Sequence, residues 1–176
     1  EHESLYGMRG EVPDDREELV DFGRARTARE GSDVTIVGVS RMALTAERAA
    51  ATLADEHDVQ AEVIDPRTLR PLDLDAILAS VAKTNRCVIV EEGWPHGGVG
   101  ANLAALISEQ AFDDLDAPVR RVSGADVPMP YSKPLEDLAY PHEPQIVGAV
   151  LETLGIAAPS GGSAPASTGR AGRATR

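Results

Sequence analysis

Residues 91–107 read EEGWPHGGVGANLAALI, running from two acids through a histidine and three closely spaced glycines into an apolar stripe. Glycines that open a helix leave backbone N–H groups free, and such a terminus can cradle a phosphate. Gly97, Gly98 and Gly100 are candidates for that role. Against it, GGVGAN lacks the dinucleotide-binding spacing and no Gly-Lys-Ser/Thr follows. Glu91 and Glu92 also place negative charge beside the turn. The competing reading, a sharp turn that brings helix close to strand or subunit, is the one these residues favour. His96, inside the turn, has the chemistry of an acid or base, but exposure in a turn explains it more simply. Glu91 and Glu92 make a poor catalytic pair, because neighbours on a strand point to opposite faces.

The other reactive side chains are scattered. Histidines stand at 2, 57, 96 and 142, with no pair at the H-x-x-x-H spacing of a zinc site, so no metal centre is expected. Arg41, Arg67 and Arg70 fall after apolar runs and could gather an anion at strand ends, where parallel α/β sheets bind ligands. Cys87, the single cysteine, lies in RCVIVEE and reads as a core residue rather than a nucleophile. One cysteine excludes an internal disulfide and fits a reducing compartment. No Ser-His-Asp or Cys-His arrangement emerges from the spacing. No catalytic residue, cofactor ligand or metal ligand is assigned on this chain.

Behind these residues stands a regular alternation of elements. DVTIVGVS (33–40), VQAEVID (59–65), CVIVEE (87–92) and PVRRVSG (118–124) read as strands, and FGRARTARE (22–30) as an edge strand or loop. ALTAERAAATLADEH is an alanine-rich helix. PLDLDAILASVAKT places Leu74, Ile77, Leu78 and Val81 on one face behind Asp73 as N-cap. After the glycine turn, Val99, Leu103, Leu106 and Ile107 form a stripe. HEPQIVGAVLETLG carries Pro144 in its first turn and an inward face of Ile146, Val147, Val150, Leu151 and Leu154. The pattern predicts an α/β fold, a three-layer arrangement with a largely parallel sheet flanked by helices.

Composition narrows the function classes. The chain of 176 residues suits one domain with trailing sequence. Its net charge of −12 disfavours nucleic acid and anionic membrane surfaces as partners, since both require a basic footprint. Lysines occur only at 83 and 133, an arginine-biased acidic balance that fits a high-salt or high-GC organism. Aromatics make up 3%, so aliphatic and alanine packing must fill the core. No signal peptide and no 18-residue apolar run is present, and a soluble, cytoplasmic chain is expected. Residues 157–176 contain no acid and no large apolar side chain, which predicts a flexible, disordered tail. The opening EHESLYG, without an initiator Met, suggests a piece of something larger.

Several motifs then occur in a familiar order. They are LYG near the start, GRARTAREGSDVTIVGVSRM, EVIDPRTLRPLDLDAILASVAKTNRCVIVEEGWPHGGVGA, LDAPVRRVSGADVPMPYSKPLED and VLETLGI. Across residues 1–156 the chain resembles the C-terminal domain of β subunits of the pyruvate dehydrogenase component of 2-oxo acid dehydrogenase complexes, within the transketolase superfamily. DPRTLRPLD and EEGWPHGGVGA are shared widely there. LDAPVRRVSGADVPMPYSKPLE is closer to pyruvate- and acetoin-type subunits than to the branched-chain type.

The resemblance implies a thiamine-diphosphate enzyme, with magnesium, whose cofactor lies between the α subunit and the N-terminal domain of β. It implies a heterotetramer in which this domain packs against a second β subunit and offers a docking surface to the peripheral subunit-binding domain of the dihydrolipoyl acyltransferase. Carried over residue by residue, Asp116 in LDAP pairs with a basic side chain of that partner, and Ile156 marks where many family chains end. Here twenty residues follow Ile156, so its carboxylate is an amide. The alternative for Asp116 is a turn before Pro118, and both readings stand at this point. Trp94, His96, Gly97, Gly98, Gly100, Asp126 and Tyr131 are assigned to the turn and interface. The expected layout is an entry segment at 1–31, a transketolase C-terminal-like domain at 32–156 and the tail at 157–176. Rival functions are a stand-alone dimerisation or docking module, the equivalent domain of an acetoin or branched-chain dehydrogenase, and an anion-binding regulatory domain.

Overall fold

Five short runs of β-favouring residues pair into one sheet, in the order β1-β3-β2-β4-β5. The strands are β1 (Arg26–Arg29), β2 (Val34–Gly38), β3 (Ala61–Asp65), β4 (Cys87–Val90) and β5 (Arg120–Val122). β2 runs parallel to both β3 and β4, and β4 parallel to β5; β1 alone is antiparallel, on the edge beside β3. The helices are α1 (Met42–His57), α2 (Leu74–Thr84), α3 (Val99–Gln110), α4 (Lys133–Ala139) and α5 (Glu143–Thr153). This computed structural model describes residues 2–11, 14 and 19–156, and the tail from 157 onward lies outside the described residues.

The expected three layers are present. Alternate strand residues serve opposite faces, as a period of two requires. Val34, Ile36, Ala61, Val63, Val88 and Val90 pack on one side against α1 and α5. Val37, Ile64, Cys87 and Ile89 pack on the other against α2 and α3. Ala46, Ala49 and Ala50 are fully buried on α1. Side chains that small let a helix approach its neighbours closely, which is how a core nearly free of aromatics reaches native density. Thr35 is buried in mid-sheet, with its hydroxyl 2.7 Å from those of both Ser80 and Thr84, so the polar groups at that point satisfy one another.

Local chemistry sets the helix ends. The Asp73 carboxylate accepts from the Ala76 N–H at 3.3 Å, as an N-cap does. Asn85 ends α2 in the left-handed region, φ 60°. Pro144 occupies the first turn of α5, where its missing N–H costs nothing, and His142 and Gln145 close a capping box. The FGRARTARE run is the edge strand β1 rather than a loop. β5 is shorter than PVRRVSG suggested, and α4, unread in the sequence, occupies seven residues after the proline-rich loop.

The topology makes two distinct ends. The connection from β2 leads to β3 on one side, and that from β4 leads to β5 on the other, so the order reverses between β2 and β4. Beyond their carboxyl ends lies the crevice where such sheets place ligands. Ser40 and Arg41 enter it from β2, and Glu91 and Glu92 from β4. The opposite end gathers the segments before β4 and β5 and the last turn of α5.

Candidate functional site

The glycine turn holds an anion, and the anion is the chain's own. Glu91 is buried at 3% exposure just past β4. Its Oε2 accepts the Gly100 N–H at 2.9 Å, in the first turn of α3, and Ser123 Oγ lies 3.4 Å from Oε1. A Cβ built on Gly98 would sit 2.7 Å from the Glu91 carboxylate and 2.5 Å from the Trp94 carbonyl oxygen. One on Gly100 would sit 2.5 Å from Glu91 Oε1. The glycines therefore make room for an internal carboxylate at a helix N-terminus, whose partial positive charge stabilises it. Gly97 supplies the turn itself, with φ +68°. A diphosphate brought to this terminus would meet both the filled space and the negative charge of Glu91. The residues at this helix terminus do not fit a diphosphate.

Glu92 turns elsewhere. Its carboxylate pairs with the Arg41 guanidinium across the β2–β4 crevice, and with His2 Nε2 at 3.1 Å. The Arg41 guanidinium carbon also lies 4.8 Å from the centroid of the Tyr140 ring, within cation–π range. Arg41 and Glu92 are thus paired within the chain across this crevice. Arg41, Arg67 and Arg70 do not form an anion site: Arg41 is engaged by Glu92, while Arg67 and Arg70 lie exposed on the loop after β3. Nothing in the local sequence signalled the Arg41–Glu92 pair, which joins residues of two different strand ends.

At the other end of the sheet, Asp116 and Ile156 each lie within three residues, along the chain, of the lining of one surface feature. An open cleft of about 370 Å³ is lined by Ala117, Pro118, Val119, Arg120, Arg121, Glu152 and Thr153. Neither Asp116 nor Ile156 lines it: Asp116 directly precedes the lining Ala117 in the chain, and Ile156, 40% exposed, follows the lining Thr153 by three residues. Arg120 and Glu152 pair across it at 2.9 Å. The Asp116 carboxylate, with 60% of its side chain exposed, lies 3.1 Å from the Arg86 guanidinium. The loop is fastened besides by backbone: Asp116 N–H donates to Asn85 C=O at 2.9 Å, and Asn85 Nδ2 to Asp114 C=O at 2.8 Å. Arg86 is the residue that sequence reading missed here.

The remaining sites are surface features. Trp94 is half exposed, and its indole N–H donates to the Val127 carbonyl at 3.0 Å, tying the glycine turn to the proline-rich loop. Arg121 Nη1 ties the same turn through the Pro95 carbonyl at 2.8 Å. His96 and Asp126 are exposed, and Tyr131 is fully so. Cys87 is a core residue as expected; burial pushes its thiol up to about 12, leaving no thiolate to react at neutral pH. Among the described residues no cluster of three or more His, Cys, Asp or Glu is placed to hold a metal. Among them, too, no helix is long and apolar enough to cross a membrane.

A mostly parallel five-stranded sheet in this order, covered by helices on both faces, defines a three-layer α/β domain. The chain belongs to the transketolase C-terminal domain family, whose model matches residues 23–146. It is similar to the beta subunit of the pyruvate dehydrogenase E1 component. The mitochondrial subunit of Dictyostelium discoideum is 49% identical over 152 residues, 85% of this chain and 42% of the relative. That of Rickettsia felis is 50% identical over 150 residues, 85% of this chain and 45% of the relative. The beta subunit of acetoin:2,6-dichlorophenolindophenol oxidoreductase from Bacillus subtilis is 44% identical over 155 residues, 88% and 45% of the two chains. A solved structure of a split-gene transketolase, an inactive beta4 tetramer, superimposes with a TM-score of 0.67 at 30% identity, covering 82% of this chain and 46% of that one. The chain spans less than half the length of the curated relatives it matches.

Proposed function

We propose that this domain is the assembly and docking part of the β subunit of a thiamine-diphosphate-dependent pyruvate dehydrogenase. In the whole enzyme, pyruvate is oxidatively decarboxylated and its acyl group passes to lipoamide. The cofactor and its magnesium then belong to the α subunit and the N-terminal half of β, consistent with the helix terminus here that Glu91 already fills. The observation that supports the docking role is the exposed Asp116 carboxylate beside a cleft whose lining runs from Ala117 to Thr153, three residues before Ile156. A cationic partner such as the peripheral subunit-binding domain of the dihydrolipoyl acyltransferase matches the exposed Asp116 carboxylate. A second β subunit matches the exposed apolar side chains of Trp94, Val127, Met129, Tyr131, Leu135 and Leu138. A cytoplasmic setting accords with the single free, buried cysteine. The layout proposed is an entry segment to residue 31, the domain at 32–156 and a tail from 157.

The acetoin-type reading has its own support in the Bacillus subtilis relative. Reassembling the full β subunit with its α subunit and assaying pyruvate, acetoin and branched 2-oxo acids separates the two. Turnover chiefly of pyruvate is expected, and turnover of acetoin alone replaces the substrate assignment. The 176-residue chain by itself should give no saturable thiamine diphosphate binding by calorimetry in the presence of magnesium. Micromolar affinity there overturns the placement of the cofactor outside this domain.

A further inference from the structure

We infer that Arg86 sets the strength of docking by competing for the Asp116 carboxylate; this rests on the docking role proposed above. The carboxylate that a partner cation must reach is already paired, at 3.1 Å, with a guanidinium of its own chain. Both side chains remain accessible, 31% for Arg86 and 60% for Asp116, so an arriving cation can share or displace the pair without unfolding anything. The loop shape does not depend on that pair. The Asp116 N–H to Asn85 C=O bond and the Asn85 Nδ2 to Asp114 C=O bond hold the same two segments together through groups that Arg86 does not supply. Arg86 is therefore free to act on charge rather than on architecture.

The neighbouring charges sharpen the argument. Asp113, Asp114 and Asp116 follow the exposed Phe112, and among the described residues Asp116 alone of these three is ion-paired. With Arg86 present, a partner gains the difference between its own pairing and the one it displaces. With Arg86 removed, it meets an unpaired carboxylate in an acidic, aromatic-tipped loop. The cost of displacing Arg86 is the same whichever cation arrives, so the pair lowers affinity without choosing between arginine and lysine in the partner.

The test is titration of a recombinant peripheral subunit-binding domain against the β subunit dimer in four forms: parent, Arg86→Gln, Asp116→Asn and the double variant. Arg86→Gln is expected to tighten binding by about two- to fivefold, the range of an exposed ion pair. Asp116→Asn weakens binding, and in its background Arg86→Gln changes nothing. Arg86→Lys returns affinity towards the parent, which a packing role would not predict. If Asp116→Asn weakens binding while Arg86→Gln leaves it unchanged or weaker, the competition idea fails and docking at Asp116 survives. If Asp116→Asn binds as the parent does, the docking role and the inference fall together. Unchanged melting temperatures of all forms are the control for folding; should Arg86→Gln unfold the domain, the pair is architectural and the inference is wrong.

Discussion

At the scale of single residues, the glycine turn illustrates how one carboxylate changes the meaning of a motif. Glu91 occupies the helix terminus that an external anion would otherwise reach, and Gly98 and Gly100 are small because it is there. Gly100→Ala should destabilise the domain by about 1–3 kcal/mol, the usual range for overpacking. Glu91→Ala should cost about 1–3 kcal/mol by leaving a buried donor unmet. Because the added methyl and the carboxylate compete for one space, the double variant should cost clearly less than the sum in denaturant melts. Strict additivity would show that the two do not touch. A second residue-scale case is Glu62, nearly buried against α2 and bonded to Lys83. Burial pushes its carboxyl upward, but hydrogen bonds from Lys83 and Ser80 outweigh this and hold it below its ordinary 4.5. A lowered carboxyl stabilises the fold above its unfolded value, and this contribution fades as pH falls through the folded one. Glu62→Gln should therefore flatten the acid limb of a stability profile below pH 4.5. An acid limb identical to the parent's would remove Glu62 from the account.

At the scale of elements, turn and loop are joined by few and specific bonds. Trp94 links the segment after β4 to the loop before α4, and Arg121 of β5 reaches back to the same turn. Trp94 is the only tryptophan and is half exposed, so its emission reports directly on this face. If a second β subunit covers the face, emission should shift to shorter wavelength with rising protein concentration, in step with the dimer population from sedimentation. Tyr131→Ala should weaken both responses together, by about 1–3 kcal/mol if Tyr131 is an interface anchor. Emission that stays constant through dimerisation would place the interface elsewhere. The half of α2 that ends at Asn85 and the loop ending at Asp116 form the second joint, held mainly by backbone.

At the scale of the whole molecule, charge dominates. The tail holds three arginines and no acid, so the −12 of the chain deepens to −15 over residues 1–156. Self-repulsion of that size loosens a compact state, and salt screens it. The melting temperature should rise from low to molar potassium chloride; a steady fall would show that local ion pairs such as Arg41–Glu92 outweigh the net charge. Docking should respond in the opposite direction, weakening as salt rises, because it draws opposite charges together. The two trends measured on one preparation separate fold stability from partner affinity.

The sequence by itself determined most of the scaffold. Short apolar runs placed β2 to β4, alanine richness α1, and period-3.6 stripes α2, α3 and α5, because all are local properties of the chain. Asp73 and Pro144 declared their helix starts for the same reason, since capping spans three or four residues. It also disposed of Cys87, whose apolar neighbours are adjacent in the chain. α4 escaped notice because seven residues carry too little periodicity. The pairings at the two ends of the sheet were invisible. Glu91 with Gly100 spans nine residues across a turn, Arg86 with Asp116 spans a strand and a helix, and Arg41 with Glu92 joins two strands brought side by side only by the sheet order. Charge complementarity acts through space, at distances of about 3 Å that no spacing in sequence encodes, so only the tertiary structure could assign these acids their partners.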